Sequence, residues 1–323
     1  MKNYGHKELR LGISQTDKIL KKRILIVGGT GFIGSNLLRI SLDAGYQCSV
    51  LSKRELTSHD RLENVDYLSS DINDIKSLRN SLANKKFEYV INLSGYIDHK
   101  LFSAGGSSII KSHLLGLINL IEVIDKGALQ TFVQIGTSDE YGDLTHAQKE
   151  TYRENPISPY SFSRLASTHL IQMLNKTEGF PGVVLRLFLV YGEGQKEDRF
   201  IPHIVKSCLR GEKFPVSFAQ QYRDFCHVSD ICHGILSSLS NTKALGEVIN
   251  LGSGNPILVK DVIEKIVYIV GSGEPLYGKV SYRIGESMCL YPDTEKAKLI
   301  LSWKPEVSLN DGLANLIEIF KGK

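Results

Sequence analysis

A chain of 323 residues with 42% apolar and 23% charged side chains has ample length for a full hydrophobic core and the make-up of an ordinary globular protein. No apolar run approaches the roughly 20 residues that span a bilayer and the N-terminus lacks a signal-peptide core, so a cytoplasmic protein is expected. The net charge of +4 sits in the leader: residues 1 to 23 hold seven Lys/Arg against Glu8 and Asp17, leaving −1 for residues 24 to 323, so charge calls for no nucleic-acid partner.

Residues 1–22 therefore read as a solvated basic extension. Immediately after them, Ile24 to Gly34 (ILIVGGTGFIG) couples a short apolar run to glycines at 28, 31 and 34 and then to an amphipathic segment with Ile33, Leu37, Ile40 and Ala44 at helical spacing. This is the context a dinucleotide turn requires: a buried parallel strand, a tight turn whose backbone approaches a diphosphate, and a helix N-terminus facing that anion. Gly28, Thr30, Gly31, Phe32, Ile33 and Gly34 are the residues expected there.

A second strand over 47–51 leads into Ser52, Lys53 and Arg54, with the first acid only at Glu55. An NAD site commonly places a carboxylate at this strand end for the ribose 2′-hydroxyl, whereas a 2′-phosphate needs cations, so NADP is expected and NAD is the alternative. A third strand over 65–68 precedes Asp71 and Ile72, placed to touch the adenine. A fourth over 89–93 ends in Leu93, Ser94 and Gly95, small enough at its end for close approach of a cofactor.

Residues 109–124 are apolar on more than one helical face, with His113 as an interior histidine. A fifth strand over 131–135 runs into Gly136-Thr-Ser-Asp-Glu-Tyr-Gly142, and a second helix opens at Ser158-Pro159 with Tyr160 and Arg164 four residues apart on one face. A strand follows over 183–191. Alternating strands and helices predict an α/β fold, a Rossmann-type doubly wound parallel sheet with a smaller mixed α/β C-terminal substrate-binding part. The dinucleotide domain is expected over 23–185, with its sheet completed by about 224–252, and the substrate-binding part over 186–223 and 253–323.

The five cysteines include no C-x-x-C pair. Cys226-His227 and Cys232-His233 repeat six residues apart, but zinc frameworks use tighter spacings and both fall in an apolar, helix-like run, so buried thiols and no metal are expected.

With these landmarks, the chain resembles the extended short-chain dehydrogenase/reductase family of nucleotide-sugar epimerases, dehydratases and reductases over roughly residues 23 to 320. The segments Arg186–Gly192, Arg223–Val228, Asn250–Gly254 and Pro292–Ala297 are similar to that family's later motifs. The resemblance implies a nucleotide-diphosphate sugar as substrate, Tyr160 as acid/base, Thr137 holding the same substrate oxygen, and Arg223 aimed at the diphosphate, with Phe200, Leu189 and Gln195 on the substrate side. Arg223 has an ion pair with Asp224 or another acid as its alternative.

The family's usual lysine is Arg164 here, its Asn near the diphosphate is Leu189, and a helical Asn is His113. Either Arg164 does the lysine's work or the protein is a dinucleotide-binding sensor or scaffold; the retention of Thr137 and Tyr160 favours activity. Asp139 lies where 4,6-dehydratases place a longer Glu as base. That shortfall and the NADP-like cations favour reduction of a 4-keto-6-deoxy sugar nucleotide over dehydration or epimerisation. The resemblance also implies a homodimer through helices near 109–125 and 160–175.

Overall fold

A computed structural model describes residues 22–54, 57, 61–282 and 285–322. The basic extension, save Lys22, and Glu55 lie outside the described residues.

The chain begins with β1 (Arg23–Val27), α1 (Phe32–Asp43), β2 (Gln47–Ser52), β3 (Asp66–Ser69), α2 (Ile75–Leu82), β4 (Tyr89–Asn92) and α3 (Ser107–Val123). It continues with β5 (Thr131–Thr137), α4 (Pro159–Glu178), β6 (Gly182–Leu187) and β7 (Leu189–Tyr191). Beyond these lie α5 (Phe200–Leu209), β8 (Lys213–Pro215), β9 (Tyr222–His227), α6 (Val228–Leu239), β10 (Val248–Leu251) and β11 (Pro256–Leu258). The chain closes with α7 (Val259–Val270), β12 (Glu274–Leu276), β13 (Cys289–Leu290), α8 (Glu295–Leu301) and α9 (Leu309–Lys321).

A seven-stranded sheet has the order β10-β6-β5-β4-β1-β2-β3, with every neighbouring pair parallel. Strand β1 is buried on both faces, which is why it reads as a continuous apolar run. Ile24 and Ile26 join a core with Leu37 of α1 and Ile231 and Ile235 of α6. Leu25 and Val27 point the other way, to Leu78, Leu117, Leu120 and Ile171 of α2, α3 and α4. The chain leaves β1 in one direction through β2 and β3 and returns on its other side through β4, so a crevice opens at the carboxyl ends of β1 and β4.

The run 183–191 is two strands, not one. At Phe188, whose N–H donates to Leu251 O, the chain leaves the large sheet, and β7 pairs instead with β9. Strands β7, β9, β11 and β13 form a second, mixed sheet, and β8 pairs with β12. Ile201 and Val205 of α5, Val262 and Ile266 of α7, and Leu313 and Ile317 of α9 make a separate core against this sheet. Cys226 is in β9 rather than in a helical run, although Cys232 is in α6; both thiols are buried, and burial raises both. Among the described residues no group of three His, Cys, Asp or Glu could hold a metal, and no helix is long and apolar enough to cross a membrane.

Candidate active site

At the crevice, Gly28 has φ +80 and a Cβ there would lie 3.1 Å from the Leu93 carbonyl, so the turn after β1 packs directly on the end of β4. A Cβ on Gly34 would meet Gly28 O at 2.4 Å, which ties the helix to the same turn. Helix α1 starts at Gly31 without a side-chain cap and without an acid in its first turn, leaving its N–H groups for an anion. A cavity of about 420 Å³ runs from Gly28, Thr30 and Gly31 across Ser52, Lys53, Asp71 and Ile72 to Leu93, Ser94, Gly95 and His113. This cradle fits a dinucleotide. Phe32 and Ile33, also expected at the cofactor, pack on the core beneath α1.

At the far end Thr30 and Ser52 share a hydrogen bond of 2.9 Å between their hydroxyls. Lys53 reaches across to Asp71, Nζ to Oδ2 2.8 Å, and this contact and charge hold the Asp71 carboxyl below its usual range. Beside it a smaller cavity of about 190 Å³ is lined by Thr30, Ser35, Arg39, Arg54 and Tyr67, among others. Arg39 and Arg54 share this smaller cavity, while Lys53 lines the larger one. Arg39 escapes sequence reasoning because an exposed cation in mid-helix reads as a solvated face.

Tyr160, in the first turn of α4, is buried, with its ring beside the Arg164 guanidinium at 5.5 Å. The helix begins there because Ser158 caps it, accepting from Ser161 N, and Pro159 stands at its first position. Burial raises the Tyr160 phenol above its ordinary value; Arg164 and Thr137 pull it down and Asp139 pushes it up, so Thr137, Asp139, Tyr160 and Arg164 form one electrostatic group. Arg164 Nη2 donates to Ser94 O at 3.1 Å. It has room because Gly95 adopts φ +116, and a Cβ there would stand 2.3 Å from that same nitrogen and 3.0 Å from His113 Nε2. His113 is bonded on both sides, accepting from Tyr96 N at 3.3 Å and pairing its Nδ1 with Ser163 Oγ at 2.9 Å. Burial and the nearby Arg164 push it down to about 3.

The turn that carries Thr137 is held from below. Glu140, fully buried, accepts from Thr137 N, from Thr168 Oγ1 and from Arg186 Nε, each at 2.8 Å. Arg186 gives Nη2 to Glu154 at 2.8 Å and lies 4.5 Å over the Tyr141 ring, whose hydroxyl donates to Asn250 Oδ1 at 2.8 Å. The Glu-Tyr of this turn is thus a tether, and the carboxylate facing Tyr160 is that of Asp139.

Of the residues expected on the substrate side, Leu189 registers with Phe225 across β7 and β9, and Phe200 stacks on Phe225 at 6.0 Å. Arg223 is ion-paired with Glu286 rather than with Asp224, which instead accepts from Ser253 and Asn255. Gln195 folds back to Val190 O at 3.0 Å, in the loop whose Glu193 O accepts from Asn36 of α1.

The sequence model of the NAD dependent epimerase/dehydratase family matches residues 24–252. The chain is 29% identical to a putative UDP-glucose 4-epimerase of Methanocaldococcus jannaschii, covering 92% of this chain and 98% of that one. It is 28% identical to a dTDP-glucose 4,6-dehydratase of Streptomyces niveus, with 93% of each covered. The structure of a UDP-glucose 4-epimerase with UDP-glucose from Thermotoga maritima superposes with a TM-score of 0.86 at 26% identity, over 93% of this chain and 99% of that one. With the glycine turn at the crevice of a parallel sheet and a match that takes in Thr137, Tyr160 and Arg164, the chain belongs to the NAD dependent epimerase/dehydratase family.

Proposed function

We propose that this protein reduces a 4-keto-6-deoxy sugar attached to a nucleoside diphosphate, with NADPH as reductant. The observation that carries the reading is the placing of Tyr160: its buried ring lies 5.5 Å from the Arg164 guanidinium, and Thr137 and Asp139 act on the same hydroxyl. A phenol held beside a fixed cation is the acid that carbonyl reduction uses. Bound NADPH supplies the hydride. Tyr160 gives its proton to the ketone oxygen, Thr137 supports the phenol that gives it, and Arg164 stabilises the phenolate left behind.

The cavity of Arg39 and Arg54 beside Thr30 and Ser52 supports NADP, since guanidinium forks suit phosphate oxygens. The expected result is net oxidation of NADPH on a 4-keto-6-deoxy sugar nucleotide, with Arg54→Ala raising KM for NADPH about tenfold and leaving that for NADH nearly unchanged. Water loss from the parent sugar nucleotide without net cofactor change would overturn the reduction. Asp139 beside Tyr160 and the dehydratase relatives favour that second reading. Dinucleotide binding without turnover would favour a sensor, the reading that Arg164 keeps open.

For Leu189, Phe200, Gln195 and Arg223 we propose the nucleotide-sugar side of the cleft. The site also bears on assembly. Leu115 of α3 and Phe162 and Met173 of α4 are exposed on the helices that carry His113, Tyr160 and Arg164. We propose that they pair with a second copy, and light scattering is expected to give a dimer that Phe162→Asp converts to monomer.

A further inference from the structure

The partners of His113 settle which of its ring nitrogens carries the proton. Burial and the nearby Arg164 keep the ring neutral, and a neutral imidazole has one N–H and one bare nitrogen. A backbone N–H only donates, so Nε2, 3.3 Å from Tyr96 N, is the bare one. The proton therefore sits on Nδ1 and is donated to Ser163 Oγ at 2.9 Å. That hydroxyl gives its own hydrogen to Tyr160 O at 2.7 Å. A directed chain of three hydrogen bonds thus runs from the turn after β4 to the first turn of α4. Both ends bear on the site. Ser94, Gly95 and Tyr96 line the dinucleotide cavity, and Ser94 O accepts from Arg164 Nη2. At the other end, the Tyr160 ring meets the His113 ring nearly at right angles, 5.8 Å between centroids.

We propose that His113 is a positioning residue: as its Nδ1–H tautomer it ties the turn 94–96, at the cofactor cavity, to the start of α4, so that the dinucleotide and the Tyr160 hydroxyl meet in fixed register. The inference rests on the reading of Tyr160 as the acid. His113 moves no proton in the reaction. It acts through the backbone of Tyr160 and through the carbonyl that receives Arg164. The charge state matters as much as the tautomer. A protonated ring would turn a second N–H against Tyr96 N and set two cations side by side, so the chain exists only while the ring is neutral. Besides Arg164, the titratable groups that face the ring are Tyr160 and Tyr96, neither of them an acid that would favour the charged form.

In the cofactor-free protein, NMR of the ring nitrogens is expected to show His113 with a proton on Nδ1 and a bare Nε2, unchanged over about pH 5–9. A proton on Nε2, or a titration within that range, would overturn the proposal. Ser163→Ala breaks the chain at its middle with little change of shape. It is expected to lower kcat for reduction about tenfold and to leave KM for NADPH nearly unchanged. His113→Phe combined with Ser163→Ala is expected to cost no more than the larger of the single changes, because both cut one chain. An active parent protein with an unimpaired Ser163→Ala variant, or losses that multiply in the double variant, would refute the positioning role. Should His113→Phe fail to fold, Ser163→Ala and the nitrogen spectrum still decide. If the parent protein performs no net reduction, the proposed function fails by itself, and the spectrum alone judges the chain: a proton on Nδ1 supports it and one on Nε2 refutes it.

Discussion

Tyr160→Phe is expected to lower kcat by about a hundredfold to ten-thousandfold, the usual worth of a positioned general acid, while dinucleotide binding persists. The prediction separates chemistry from architecture. Phe keeps the ring that Arg164, His99 and His113 touch, and the helix is capped by Ser158, so the fold has no reason to change. It removes the one hydroxyl whose ionisation Thr137, Asp139 and Arg164 all influence. Turnover equal to that of the unmodified protein, with cofactor binding followed by fluorescence in the same preparation, would refute the role of Tyr160.

Arg164 is accommodated by its surroundings rather than by its own geometry. A lysine would bring a point charge, whereas the guanidinium occupies the space beside Gly95 that a Cβ would fill and donates to Ser94 O. That arrangement needs a residue without a Cβ at position 95 and a histidine that stays uncharged beside a permanent cation. His113 meets the second condition, since burial and Arg164 push it down to about 3. The two departures from the family's pattern, at 113 and 164, thus meet at one glycine.

The glycine turn, the parallel strands and the capped start of α4 were legible because their signals are local: apolar runs, glycine spacing, and Ser-Pro before a helix. What decided the rest is register. The strand over 183–191 could not be seen to change sheets, because both its halves are apolar and the break at Phe188 is set by Leu251 from a distant strand. The pairing of Lys53 with Asp71 depends on β2 and β3 lying side by side, Ser52 opposite Ser69. Arg223 meets Glu286 across 63 residues of chain, beyond any pattern of spacing. Glu140 was legible only as part of a turn, because its partner Arg186 reaches it from the adjacent strand, where Arg186 stands opposite Gly136.

Glu140→Gln is expected to destabilise the protein by about 3–5 kcal/mol, read as a shift in the urea midpoint, because it leaves Arg186 as a fully buried charge short of a partner. The cost is not symmetrical. Arg186 retains Glu154 and the Tyr141 ring, but Glu154 is only partly buried and one guanidinium nitrogen, Nη1, already has no hydrogen-bond partner. Glu140 also fixes the Thr137 backbone and Thr168, and its Oε1 lies where a Cβ on Gly136 would stand 2.6 Å away, so no side chain from β5 can fill the gap. Replacing both ends of the pair, as in Glu140→Met with Arg186→Met, removes the stranded charge and is expected to cost less than the sum of the two single changes. Additive losses in that cycle would mean that the two residues act on stability separately. The single Glu140→Gln change is further expected to reduce turnover, since the turn that presents Thr137 and Asp139 to Tyr160 hangs from the same carboxylate.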